Sequence, residues 1–263
     1  MIDIRAVQNR LLEMACHIRC ILERYEIPYI ITYGTLLGAV RHKGFIPWDD
    51  DFDIYLFDDS YDYAISVLKS ELPHDLFLED RDSEPLYFHG WAHVKDLNSE
   101  AVCLQFPQDN VYSHHGLSID LYKASLIPRE NLTLFQLQER LNYINRKFRH
   151  GFLDNDDYLR TKTRLMTQID KERQRVILSP DDMIYGFMSL DGDYLEVNEV
   201  FPIKAYQFEN HFFSGPNRYH DFLTRCYGNY LELPPVEKRK PHYSQVSFHI
   251  DSTNSIVQGS NRA

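Results

Sequence analysis

The stretch Gly34-Thr-Leu-Leu-Gly-Ala-Val-Arg-His-Lys-Gly-Phe-Ile-Pro-Trp-Asp-Asp-Asp-Phe-Asp-Ile-Tyr-Leu-Phe57 changes character twice. Gly34-Thr35 followed by an apolar run predicts a short helix through Val40, and Gly44 and Pro47 enforce a turn. Phe52 to Phe57 then reads as a strand. Asp49, Asp50, Asp51 and Asp53 crowd at its entrance. Side chains alternate along a strand, so Asp51 and Asp53 project to one face while Phe52 and Ile54 take the other. Two ionised carboxylates side by side raise each other's pKa, and a divalent cation relieves that repulsion. Mg2+ or Mn2+ suits such hard oxygen ligands.

Outward from this stretch the chain alternates helical and extended patterns. Upstream, Ile4, Val7, Leu11, Ala15, Ile18, Leu22 and Tyr25 recur at helical spacing, Pro28 marks the stop, and Tyr29 to Tyr33 is β-rich. Downstream, the pattern predicts a helix over Tyr61 to Leu72 and strands over Tyr87 to Val94, Ala101 to Phe106 and Leu117 to Tyr122. Two long charged helices follow, Glu130 to Phe148 and Asp156 to Val176. Beyond them come a strand over Val200 to Glu209, a short helix over Asn217 to Tyr227, and a frayed tail after Phe248. This is an α/β (α+β) pattern with an additional helical region and no internal repeat.

Asp120 lies inside Leu117-Ser-Ile-Asp-Leu-Tyr122, where apolar flanks make an ionised carboxylate costly without a partner. It is the third candidate metal ligand beside Asp51 and Asp53. An EF-hand loop beginning at Asp49 fails, because Ile54 stands where Gly is required and Ser60 where Glu is required. An aspartyl-phosphate phosphatase would place its acidic pair after an apolar strand, not before one, and stays only as the runner-up. Gly34, Thr35 and Gly38 open a helix whose free N–H groups suit a phosphate. Arg41 and Lys95 are candidates to balance phosphate charge. His93 and His242 are available for proton transfer, or as hydrogen-bonded structural histidines.

The run from Gly34 to Asp53 resembles the signature of the LicD/fukutin family, a branch of the nucleotidyltransferase-fold superfamily. The resemblance continues through Val94-Lys-Asp96, Gly116-Leu-Ser-Ile-Asp120, Phe208-Glu-Asn210, Tyr227-Gly-Asn-Tyr230, Leu233-Pro-Pro235, Arg239 and His242. It implies a nucleotidyltransferase-like mixed β-sheet core flanked by helices. It also implies a single catalytic domain over 1–263, with a core of about 1–125, helical and C-terminal elements of about 126–248, and a tail over 249–263. The absence of the cysteine-rich zinc insertion points to the shorter bacterial type. The implied activity is metal-dependent transfer of a substituted phosphate from a CDP-linked donor to a sugar hydroxyl. Gly34, Thr35 and Gly38 would cradle phosphate, Asp51, Asp53 and Asp120 would hold metal, and Asp49 would join the acidic run.

CDP-choline is the favoured donor and a glycan, free or lipid-linked, the acceptor; CDP-glycerol or CDP-ribitol is the alternative. A choline headgroup needs an aromatic cage, for which Trp91 stands first, with Tyr87, Phe88, Tyr112 and Tyr122. An inactive metal-binding module is the reading from another class. Composition fits an enzyme of this kind. The 263 residues carry 28 Lys and Arg against 39 Asp and Glu, and the resulting charge of −11 disfavours nucleic acid as a partner. Four scattered cysteines give no disulfide framework. Without an apolar leader or spanning run, the expected location is cytoplasmic, with peripheral membrane contact open.

Overall fold

The computed structural model describes residues 3–174, 182–186 and 194–249. Helix α1 (Ile4–Arg24) is capped by the Asp3 carboxylate, which accepts from the Ala6 N–H. Its buried stripe, Val7, Leu11, Met14, Ile18 and Leu22, lies in the main core. The helix ends ahead of Pro28: Glu26 turns left-handed at φ 56° and the Ile27 N–H returns to the Leu22 carbonyl. Strand β1 (Tyr29–Ile31) leads into α2 (Tyr33–Arg41), the loop bearing the aspartates, β2 (Asp53–Phe57) and α3 (Asp58–Glu71). The next strands are β3 (Leu76–Glu79), β4 (Ala92–Asp96), β5 (Ser99–Cys103) and β6 (Ser118–Pro128).

These strands form a mixed sheet in the order β1-β2-β6-β4-β3. Every neighbour in that order is antiparallel except β2 and β6, which run parallel with Asp53 opposite Asp120. Two acidic residues 67 positions apart in sequence, 53 and 120, therefore sit side by side on adjacent inner strands. Ile54, Leu56, Ile119 and Leu121 bury completely in the same core as α1.

Helices α4 (Leu132–Arg149) and α5 (Asn155–Arg173) pack as a pair over a small core of Leu137, Leu165 and Ile169. Residues 175 and 176 of the expected second helix lie outside the described residues, as does the tail from 250. Strands β7 (Met183–Gly186) and β8 (Tyr194–Glu196) extend the distal half of β6. A short α6 (Val197–Val200) precedes the hairpin β9 (Lys204–Phe208) and β10 (His211–Gly215). Helix α7 (His220–Tyr227) and a last strand β11 (Tyr243–Phe248), paired with β5, complete the described chain. The mixed α and β composition is the fold class that the sequence predicts.

The expected strand over Tyr87 to Val94 is shorter at its start. The Tyr87 hydroxyl donates to the Trp91 carbonyl across Gly90 and folds this segment back, so extended structure begins only at Ala92. Tyr87 and Phe88 then join Tyr112 in a separate buried cluster. Likewise, the expected strand from Val200 begins at Lys204, because Val200 closes α6.

Candidate active site

The loop before β2 and the start of β6 bring Asp51, Asp53 and Asp120 together. One carboxylate oxygen from each lies within 4.8 Å of the others. Asp53 and Asp120 come from the parallel register, and Asp51 from the extended residues just ahead of β2. The local geometry is pinned by Thr35, whose buried Oγ1 accepts the Asp53 N–H at 2.8 Å. The Gly34 N–H supports the Asp53 carboxylate directly. The opening of α2 is thus turned toward the acidic residues.

All three carboxyls are pushed above the ordinary aspartate range. Burial is the main cause for Asp53, followed by Asp51 and Asp120, and Asp53 lies far above that range. Asp51 is raised by burial and Asp50. Asp120 is pushed up to about 8 by burial and by Asp51, against the opposing effects of the Tyr122 hydroxyl and Lys95. Among the described residues, none of the three forms an ion pair with a lysine or arginine. Three oxygen donors converging with no lysine or arginine paired to them fit a divalent metal ion.

Asp120 is held from two sides, accepting from the Tyr122 hydroxyl at 2.8 Å and lying 3.2 Å from His93 Nε2. His93 Nδ1 faces the fully buried Glu79 at 3.6 Å, and burial keeps this imidazole neutral. Glu79, pushed up to about 7 by burial, also lies 3.9 Å from Lys95. The sequence offered no signal for Glu79, an acidic residue at the end of an unexceptional strand.

Asp50 and Asp49 diverge from their neighbours. Asp50 is fully buried and accepts the backbone N–H groups of His242 and Tyr243 at 2.7 and 3.0 Å, tying β11 to the site. His242 Nδ1 lies 3.2 Å from Asp50 and 3.9 Å from Asp51. The hydrogen-bonding influence of Asp50 pushes the His242 imidazole up to about 9. Asp49, pushed to about 7 by burial and Asp51, lines the cleft above with Gly34.

That cleft has a volume of about 670 Å3 and runs from Asp51 and Asp53 past Tyr33, Tyr122 and Tyr227 to the segment at 232–240. Tyr33 occupies the left-handed region at φ 41°, an uncommon conformation for a tyrosine, and packs edge-on against Tyr55 and Tyr122. Behind Asp51 a second, much narrower cavity of about 30 Å3 is lined by Lys95, His93 and Asp120.

Several expected ligand-binding residues also make scaffold contacts. A Cβ at Gly38 would lie 2.5 Å from the Gly44 carbonyl oxygen, so this glycine packs α2 against the following turn rather than opening backbone to a ligand. At Gly34 the corresponding neighbour is Asp49 Oδ2, at 2.9 Å. Arg41 lines the cleft, yet its Nη1 donates to the carbonyls of Tyr230 and Glu232. Lys95 is buried in the inner cavity. The expected aromatic cage is divided: Tyr87, Phe88 and Tyr112 are core, and Trp91 is buried against Tyr122 at 4.9 Å. Of the expected rings the cleft presents Tyr122, joined by Tyr33, Trp48, Tyr227 and Tyr230.

A family profile described as LicD/FKTN/FKRP, nucleotidyltransferase domain, matches residues 26–122, which contain all three converging aspartates. The lipopolysaccharide cholinephosphotransferase LicD of Haemophilus influenzae is 26% identical over 269 residues, covering 94% of this chain and 98% of that one. The likeness to LicD-type proteins thus extends over nearly the whole chain. An uncharacterized protein of Rickettsia typhi is 27% identical over 137 residues, 49% of this chain and 42% of its own. Another from Rickettsia prowazekii is 62% identical over 34 residues, 13% of each chain. Beyond the aspartates, several positions of the LicD-type resemblance bind elements to one another. Asp96 receives Arg10 at 2.7 Å, Glu209 receives Arg5, and Tyr230 meets His220.

Proposed function

We propose that this LicD-type chain is a metal-dependent transferase that moves phosphocholine from CDP-choline to a sugar hydroxyl of a cell-surface glycan precursor. The reading takes the whole chain as one catalytic unit working on the cytoplasmic side. The observation that carries it is the convergence of Asp51, Asp53 and Asp120 within 4.8 Å, where the large cleft lined by Asp51 and Asp53 meets the inner cavity lined by Asp120. The choice of phosphocholine as the transferred group is supported by the name of the Haemophilus relative, a lipopolysaccharide cholinephosphotransferase.

Asp51, Asp53 and Asp120 would hold the ion, with Mg2+ or Mn2+ favoured by the all-oxygen donor set. When bound, it would neutralise pyrophosphate charge and stabilise departing CMP. The acceptor oxygen forms a bond to the distal phosphorus while the bond from that phosphorus to the CMP oxygen breaks, and the hydroxyl proton leaves to a base. Asp120 is placed to take that proton or to orient the hydroxyl. Tyr122 and His93 fix its carboxylate, and Thr35 and Gly34 fix Asp53. Arg41 adds positive charge along the cleft for the donor phosphates. The rings of Tyr33, Tyr122 and Tyr227 offer faces to a quaternary ammonium.

The test is incubation with Mg2+ and, in turn, CDP-choline, CDP-ethanolamine, CDP-glycerol and CDP-ribitol, following CMP. Release from CDP-choline supports the reading. Release only from CDP-glycerol or CDP-ribitol replaces it with polyol phosphate transfer. Metal-dependent stabilisation without CMP from any donor, with or without glycan acceptors, would leave a metal-binding module.

A further inference from the structure

The outer lip of the cleft carries a surface that the chemistry at its foot does not use. After α7 the chain passes through Tyr230, which is buried with its hydroxyl 3.0 Å from His220 Nδ1. Arg41 clamps the carbonyls of Tyr230 and Glu232. Arg239 donates to the Pro234 carbonyl at 2.8 Å and stacks over Trp48 at 5.1 Å, while Val236–Lys238 closes a single 3-10 turn behind Pro235. The backbone of this lip is therefore held from within.

Its apolar side chains face outward. Leu231, Leu233 and Val236 are 65%, 49% and 72% exposed. From Leu231 to Lys240 three basic residues, Lys238, Arg239 and Lys240, stand against two acidic ones, Glu232 and Glu237, in a chain whose net charge is −11. Lys238 and Lys240 are exposed. Aliphatic tips on a pre-ordered turn lose little conformational freedom on burial. Combined with a local positive charge that opposes the charge of the whole chain, they match the interfacial region of an anionic bilayer. A protein partner would more commonly be met by aromatic anchors seated in pockets.

We propose that this lip docks onto an anionic phospholipid surface. Leu231, Leu233 and Val236 enter the boundary between headgroups and acyl chains, and Lys238 and Lys240 lie against the headgroups. The docking does not depend on the transfer reaction. It does place the cleft mouth at the bilayer, where a lipid-linked acceptor would be found.

The experiment is sedimentation of the full chain with vesicles of phosphatidylcholine alone and of phosphatidylcholine mixed with phosphatidylglycerol. Binding is expected only to the mixed vesicles. Lys238→Gln should weaken it about fivefold, and Leu231→Ser combined with Val236→Ser about tenfold or more. Leu159→Ser, at a position 50% exposed on α5, should leave binding unchanged. Thermal melts of each variant establish that it is folded, and the single lysine change keeps the test valid should the double variant fail. No binding to either vesicle would overturn the proposal in favour of a protein partner. So would equal binding to both vesicles, or variants that bind like the wild type.

Discussion

Replacing Asp120 by Asn should make the metal-free protein more stable while removing its response to Mg2+. The three carboxylate oxygens lie within 4.8 Å of one another, with Asp53 buried and Asp51 and Asp120 partly buried. At that separation and an effective dielectric constant of about 20, one ionised pair is repelled by about 3.5 kcal/mol. The introduced amide would carry no charge, and its oxygen could still accept from Tyr122, so little is lost in exchange. A carboxyl raised to about 8 in the folded state holds its proton more tightly than in the unfolded chain. Its favourable contribution is complete below the unfolded value near 4 and is lost as pH rises through about 8. The comparison therefore belongs at pH 8.5 in EDTA, where Asp120→Asn should melt about 5–10 °C above wild type. Saturating Mg2+ should raise the wild-type melting temperature and barely move the variant, since a ligand stabilises only the state that binds it. The reasoning is refuted if Asp120→Asn melts below wild type in EDTA, or if Mg2+ stabilises both proteins equally.

Asp51→Asn and Asp53→Asn should each lower CMP release by about a thousandfold or more with the fold retained; wild-type turnover in either folded variant would remove that residue from the site. Thr35→Val leaves the buried Asp53 N–H without its acceptor and should cost about 1–3 kcal/mol in urea unfolding, whereas Thr35→Ser should restore most of it. Equal losses for both variants would indicate that methyl packing, not the hydroxyl, is what matters. Tyr227→Leu should weaken use of CDP-choline several-fold while sparing CMP binding, and equal loss of both would assign this ring to the nucleotide. Arg10→Met strands the fully buried Asp96 carboxylate and should cost about 3–5 kcal/mol. Asp75, whose burial is outweighed by the hydrogen bond and charge of Arg10 together with a backbone hydrogen bond, titrates below the usual range. Its stabilising share is present above about pH 4 and lost as pH falls further, so acid melts of Arg10→Met should show a shallower loss.

The acidic run and the elements around it were legible in the chain because they rest on local rules. Helical spacing placed α1, turn residues placed the break before the aspartates, and apolar flanks marked Asp120 as a carboxylate needing a partner. What the linear pattern could not supply was contact between segments distant in sequence. Only the parallel register of β2 and β6 sets Asp53 beside Asp120. Only the return of β11 explains why Asp50 differs from Asp49 and Asp51, since its lone pairs are taken by the amides of His242 and Tyr243. The aromatic rings show the same division. Composition cannot say whether a ring faces a core or a cleft, and the fold-back at Tyr87 and Gly90 sent Tyr87 and Phe88 inward and left Trp91 buried against Tyr122. Residue chemistry and local periodicity thus determined which groups could bind metal and phosphate. Strand register and chain reversal, set by long-range burial and pairing, decided which of them meet.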